Sequence, residues 1–301
     1  MSAMYKKSSG VKVRESAGYI AFTIFNTVLM IIICVCTLYP FLYLVAQSFS
    51  SEQAIMMGKV KLLPVDFNVS TYISVLKKGE FMHSYGNTLW YSILGTFLSV
   101  FFGCCLAYPL SKKHLKANRF LFPFIIFTMY FGGGLIPNYI LMRRLHLINT
   151  VAGFIMPSLI STYYIILMRS FFAGTPQELE EAGEIDGLSP IGLMFRIVLP
   201  LSLPIIATMI LFNAVGYWNN WYNSFLYLDK KEMWPVAYYL RTIITGASTS
   251  ADPGEVSAEK LQIAANIKSC SMVLMALPII CVYPFVQKYY VQGMMLGGVK
   301  E

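Results

Sequence analysis

Charge is what this sequence has least of. Of 301 residues only 13% are Asp, Glu, Lys or Arg, and 56% are hydrophobic; an ordinary soluble domain carries about 25% charged residues. That shortage excludes disordered and charge-laced coiled-coil chains, and a mean hydropathy of +0.60 places the chain in a bilayer. Metal and disulfide chemistry fall to a similar scarcity. The six cysteines (Cys34, Cys36, Cys104, Cys105, Cys270 and Cys281) all lie in apolar runs without Cys-x-x-Cys spacing, and His83, His114 and His146 fall in three separate connections. No Ser/His/Asp or Cys/His set can be assembled, so no catalytic, metal-binding or cofactor-binding residue is nominated. A phosphate-cradling glycine loop ending in Gly-Lys-Ser/Thr is also missing, so the chain cannot bind ATP in that manner itself. The net charge of +8 is spread over the connecting segments with no dense basic face, which argues against nucleic acid and for membrane-flanking charges.

What is present is a series of apolar runs. A helix crossing a bilayer needs about 20 mostly apolar residues, and six stretches meet or approach this: Ala17 to Ala46, Tyr85 to Leu110, Phe120 to Met142, Val151 to Met168, Ile197 to Val215 and Ser269 to Val286. The first is too long for a signal-peptide core and is expected to stay as an anchor. The run Gly132-Gly133-Gly134 should break or bend the third. With both termini cytoplasmic, 12 Lys/Arg lie inside and 11 outside. The short flanks favour that orientation: Lys6, Lys7, Lys12 and Arg14 precede the first span, and Lys112, Lys113, Lys116 and Arg119 follow the second. Arg143 and Arg144 oppose it.

Between spans four and five the composition changes. Five carboxylates, of fifteen in the chain, fall within Glu178 to Asp186. Thr175 and Pro176 predict a helix start, with acidic residues near the positive end of its dipole. Gly187 supplies a stop, and Ser189-Pro190 starts a second helix running through Phe195 and Ile197 into span five. Leu179, Ala182 and Ile185 recur at i, i+3 and i+6, which marks one apolar face. A helix that is apolar on one side and acidic around it suits docking onto another protein.

The run Glu181-Ala182-Gly183-x-x-Asp186-Gly187, followed by Ile197-x-Leu199-Pro200 and Pro204, resembles the Glu-Ala-Ala loop of ABC importer membrane subunits. Gly183 stands where that pattern usually has its second Ala. The ending Tyr289-Tyr290-Val291-x-Gly293 with Gly297-Gly298-Val299-Lys300 is similar to the sugar-importer branch. Gly133-Gly134-Leu135-Ile136-Pro137 with Leu147-Ile148-Asn149-Thr150 looks like a subgroup handling complex oligosaccharides. The resemblance implies an all-α membrane protein with the type I ABC importer permease fold and six spans, in the cell membrane of a prokaryote with both termini cytoplasmic. Its parts would be a cytoplasmic tail over 1–16, a first helix over 17–46, a permease core over 85–288 with its coupling loop at 170–196, and a tail over 289–301. The implied partners are a second, homologous permease subunit, two cytoplasmic ATPase subunits that carry ATP and Mg, and an extracellular solute-binding protein. Glu178, Glu181, Ala182, Gly183, Asp186 and Gly187 would form the ATPase-docking set, with Ala182 and Gly183 allowing close contact.

Energy considerations agree with an external motor. None of the six runs contains an Asp, Glu, Lys, Arg or His, whereas proton-coupled carriers keep such groups in the membrane. A cation-coupled secondary sugar transporter stays open as the alternative, because unwound backbone can coordinate sodium. Tyr217, Trp218, Trp221 and Tyr222 cluster near the outer end of span five, where aromatic rings either stack on sugars or mark the membrane interface. Spans three to five line the solute path in relatives, which makes Tyr163, Tyr164, Asn213, Tyr217, Trp218, Asn219 and Trp221 candidates along it.

Overall fold

The computed structural model describes residues 16–77, 79–249, 266–282 and 284. The expected tails at 1–15 and 289–301, and most of the polar stretch Gly246 to Glu255, lie outside them. Among the described residues all regular structure is helical. The helices are α1 (Ala17–Ser48), α2 (Glu52–Met56), α3 (Ser70–Lys77), α4 (Gly79–Ser111), α5 (Asn118–Tyr130), α6 (Leu135–Arg144), α7 (Val151–Ile155), α8 (Thr162–Phe172), α9 (Gln177–Ile185), α10 (Pro190–Leu193), α11 (Leu199–Leu201), α12 (Leu203–Trp218), α13 (Tyr222–Tyr227), α14 (Val236–Thr249) and α15 (Asn266–Val282).

Two of these, α1 and α4, are unbroken helices long and apolar enough to span a bilayer. The third, fourth and fifth predicted spans are each bent pairs. α5 and α6 meet at 113° across residues 131–134, where Gly134 takes φ +82, a conformation that L side chains rarely adopt. α7 runs on through the 3-10 turn Met156–Ser158, and this arm meets α8 at 57° across residues 159–161. The fifth break corrects the expectation of a helix running unbroken from Ser189 into the span. Pro190–Leu201 meets α12 at 85° beside Ser202, after a π turn over Met194–Val198. Pro200 and Pro204 lack the N–H groups that would continue the ladder, so the chain turns there and the span starts at Leu203. α12 has 16 residues, or roughly 24 Å at 1.5 Å per residue, somewhat less than the hydrocarbon thickness. The sixth stretch falls on α15, a shorter apolar helix, with residues 283, 285 and 286 outside the description.

The connection before span two is more ordered than a polar loop. It holds α2 and α3, and α4 already begins at Gly79, so His83 sits in a helix and not in a connection. Phe49 stacks on Phe67 at 5.4 Å and on Tyr72 at 4.8 Å. Tyr72 donates its hydroxyl proton to Ser48 Oγ at 2.8 Å. Ser269 on α15 reaches Gln47 Oε1 at 2.7 Å, tying the last helix to the end of the first.

α4 is the central mast. One buried cluster joins Cys104, Ala107, Tyr108 and Leu110 of α4 to Ile165, Met168 and Phe172 of α8, Leu193, Met194 and Val198 of the α10–π segment, and Ile205 and Met209 of α12. A second gathers Tyr91, Phe154, Ile155, Tyr217 and Leu228 further along the mast. Lipid tails are as apolar as Leu, so packing here relies on small residues that admit a neighbour. Gly95 is such a site: a Cβ there would meet the Tyr217 ring at 2.8 Å. α1, by contrast, is exposed over its whole apolar window.

Candidate functional site

α9 begins one residue later than expected. Pro176 is the cap, with extended backbone (φ −56, ψ 127) and no side-chain hydrogen bond, so Thr175 does not cap the helix. Its orphan N–H groups face an acidic first turn containing Glu178 and Glu180. The far end matches expectation in detail. Leu188 N–H bonds to Gly183 O at 2.9 Å and Gly187 N–H to Glu184 O at 3.0 Å, with Gly187 at φ +80. These two bonds around a left-handed residue are a Schellman motif. Ser189 Oγ then accepts from Gly192 N–H at 3.2 Å, and Pro190 opens α10.

The two faces of α9 differ. Glu178, Leu179, Glu181, Ala182, Glu184, Ile185 and Asp186 are exposed, Ile185 at 87%. Gln177 Nε2 donates to Glu181 Oε1 at 2.7 Å, which holds that carboxylate along the helix. Gly183 is buried, and here the docking set needs correction. It faces the permease body, where a Cβ would meet Ile197 Cδ1 and Leu193 Cδ2 at 2.6 Å each. The absent side chain lets α9 lie against its own chain, so Gly183 makes no surface for a partner.

Glu180, absent from the expected set, shares the inward side with Gly183 one helical turn away. Its carboxylate forms a salt bridge with Lys112, just past the end of α4, and accepts from the Tyr108 hydroxyl at 3.4 Å. The Lys112 ammonium also lies 4.4 Å from the Tyr108 ring centroid. Lys112 belonged to a run read only as membrane-flanking charge, and no local signal relates it to Glu180, 68 residues away. The α4 terminus is held further by Asn118, whose Nδ2 lies 3.0 Å from Pro109 O, 3.2 Å from Leu110 O and 2.8 Å from Lys112 O. Arg169 donates through Nε to Leu110 O at 2.8 Å, with its guanidinium 3.9 Å from the Phe122 ring centroid.

The solute-path candidates fall in different surroundings. Tyr217 is buried: its hydroxyl donates to Ile155 O at 3.3 Å and pairs with Ser99 Oγ at 2.9 Å. Trp218 is buried too, with Nε1 donating to Met275 O at 3.1 Å and its ring edge-on to Tyr85. Both act as packing groups with no ring face left for a sugar, because small residues on α4 draw α12 close. Asn213 is buried and bonds Met209 O on its own helix at 2.8 Å. Trp221 is half-buried beneath Arg241, 3.6 Å from its ring centroid. Tyr164 packs on Phe212, while Tyr163 and Asn219 are exposed. Among the described residues no group of three His, Cys, Asp or Glu is placed to hold a metal ion.

Residues 95–295 match the family described as "Binding-protein-dependent transport system inner membrane component", a span that includes α9 and the bent pairs around it. The chain belongs to that family. Protein LplC of Bacillus subtilis (strain 168) is 38% identical over 264 residues, covering 88% of this chain and 90% of that protein. The polygalacturonan/rhamnogalacturonan transport system permease protein YtcP of the same strain is 34% identical, covering 90% of this chain and 95% of its own length. A crystal structure of a bacterial ABC transporter involved in the import of the acidic polysaccharide alginate contains a chain that superposes with a TM-score of 0.83 at 33% identity. It covers 92% of this chain and 99% of that one. The expected all-α permease architecture is therefore the observed one, and this binding-protein-dependent permease is a transport component, not an enzyme.

Proposed function

We propose that this permease translocates an oligosaccharide, delivered by an external binding protein, using ATP hydrolysed by cytoplasmic subunits that dock on α9. The observation that carries the reading is the outward face of α9. Leu179, Ala182 and Ile185 stand exposed among Glu178, Glu181, Glu184 and Asp186 on a helix whose other side is packed down. An apolar stripe ringed by carboxylates fits a cleft with a greasy floor and a basic rim. The names of the relatives support a saccharide cargo, since one is the permease of a polygalacturonan/rhamnogalacturonan transport system and the similar solved chain belongs to an ABC transporter involved in the import of the acidic polysaccharide alginate.

On this reading α9 lies in the cytoplasm, both termini share that side, and ATP and Mg stay on the partner subunits. A second permease subunit completes the pathway. Closure of the ATPases pushes α9 and its counterpart, and the bent pairs swing between inward-open and outward-open states. The test is purification of the assembled transporter with measurement of ATP hydrolysis and uptake. Hydrolysis stimulated by the loaded binding protein, and lost with Ile185→Asp, supports the reading. Sodium-dependent uptake by the chain without any ATPase overturns it in favour of secondary transport.

A further inference from the structure

We infer that the Lys112–Glu180 bridge is a strut that passes movement of α9 directly to α4, which makes Glu180 and Lys112 positioning residues for transport. The inference rests on α9 being the ATPase-docking helix. Without the bridge, α9 holds the membrane body through Gly183 on Leu188, Leu193 and Ile197, all on the segment that follows it in the chain. Along the chain that route leads to α12, past the Ser202 break where Pro190–Leu201 and α12 meet at 85°, and it meets α4 only through the apolar packing of Leu193, Met194 and Val198. A push delivered through a segment bent by 85° is partly absorbed by the bend.

The bridge avoids the bend. It joins α9 to a position 68 residues earlier in sequence, at the end of the helix around which the core is assembled. Its side chains are 18% and 12% exposed, so the charges are only weakly screened. The receiving end is built to take load. Asn118 at the start of α5 and Arg169 near the end of α8 both grip the final carbonyls of α4. A displacement of Lys112 therefore reaches three spans at once. α4 then carries it for about 50 Å, at 1.5 Å per residue over 33 residues, past the Gly95–Tyr217 contact with α12. Glu178, Glu181 and Glu184 are exposed and serve docking, whereas Glu180 alone points inward, a division of labour within a single acidic helix.

The test uses the assembled transporter in lipid vesicles, with uptake and ATP hydrolysis measured together. Glu180→Gln, nearly isosteric, and Lys112→Met should still purify with the ATPase subunits and still hydrolyse ATP. Uptake per ATP should fall on the order of tenfold, within the range of ordinary coupling energies. The exchange Lys112→Glu with Glu180→Lys should recover a large part of that loss, which a merely space-filling role would not allow. Unchanged uptake per ATP in both single variants overturns the strut, as does an exchange no better than the singles. Loss of bound ATPase in step with uptake also overturns it, because the pair would then only support the docking face. An unaltered complex that shows no ATP-driven uptake overturns the docking reading, and the strut with it.

Discussion

Gly183 offers the sharpest test of how α9 is seated, because the Ala usual at that place in the resembling motif is also the smallest possible perturbation. A Cβ at position 183 would lie 2.6 Å from both Ile197 Cδ1 and Leu193 Cδ2 and 3.3 Å from Leu188 Cδ1. Two of these contacts are well inside the roughly 3.5–4.0 Å optimum for carbon pairs. All three atoms are ends of flexible side chains, so rotation relieves part of the overlap. Overpacking costs about 1–3 kcal/mol, while Ala recovers up to about 1 kcal/mol of helix propensity over Gly. Gly183→Ala should therefore cost about 0–2 kcal/mol. Gly183→Val adds two more methyl groups and β-branching against the same wall, and about 2–4 kcal/mol is expected from the same terms. The assay is thermal unfolding of the purified permease in detergent, where these costs appear as a small and a larger drop in apparent melting temperature. Ile197→Val removes one clashing atom and should lessen the Gly183→Ala cost, a coupling expected for residues in contact. A Gly183→Val protein as stable as the unaltered one, or an additive double variant, would refute the inward placement of Gly183.

Three further outcomes are expected. Gly187→Val forces a β-branched residue to φ +80 and should cost about 1–3 kcal/mol; Gly187→Asn should be milder, as seen by loss of co-purified ATPase. Ile185→Asp changes a side chain that is 87% exposed, so the stability should stay within about 0.5 kcal/mol of the original while ATPase binding is lost; a destabilised permease would contradict the outward face. Tyr217→Phe leaves Ser99 Oγ and Ile155 O without that hydroxyl, costing about 1–3 kcal/mol; its effect should appear in stability with unchanged solute preference, and altered preference would return Tyr217 to the solute path.

Much of α9 was legible because its determinants are local. A Schellman turn needs one residue that tolerates positive φ at the end of a helix, and Gly187 after Asp186 announces it; Ser189-Pro190 announces the next start in the same way. Thr175 misled for a reason equally local: Pro176 took the extended cap conformation itself, which shifted the start by one residue. The glycine run at 132–134 announces a break, but the 85° turn beside Ser202 has no unambiguous local signal, because Pro200 and Pro204 are tolerated near helix starts as well as at kinks.

By itself, the sequence determined the medium, the lack of a phosphate-cradling loop of its own and the presence of one acidic helix with an apolar stripe. Each follows from composition or from residues within a few turns of one another: apolar runs of membrane length without Asp, Glu, Lys, Arg or His, and an acidic helix with an apolar stripe closed by Gly187. Only the tertiary structure decided which way that helix faces. Gly183 and Ala182 look interchangeable as small residues, yet one lies against Leu193 and Ile197 and the other stands in the open. Five carboxylates look equivalent in one short helix, yet Glu180 alone finds Lys112. The physical reason is the same in both cases. Direction and pairing depend on what packs alongside, and in a helical membrane protein the neighbours of a residue come from spans far away in sequence, brought close by small residues that carry no signal of their partners.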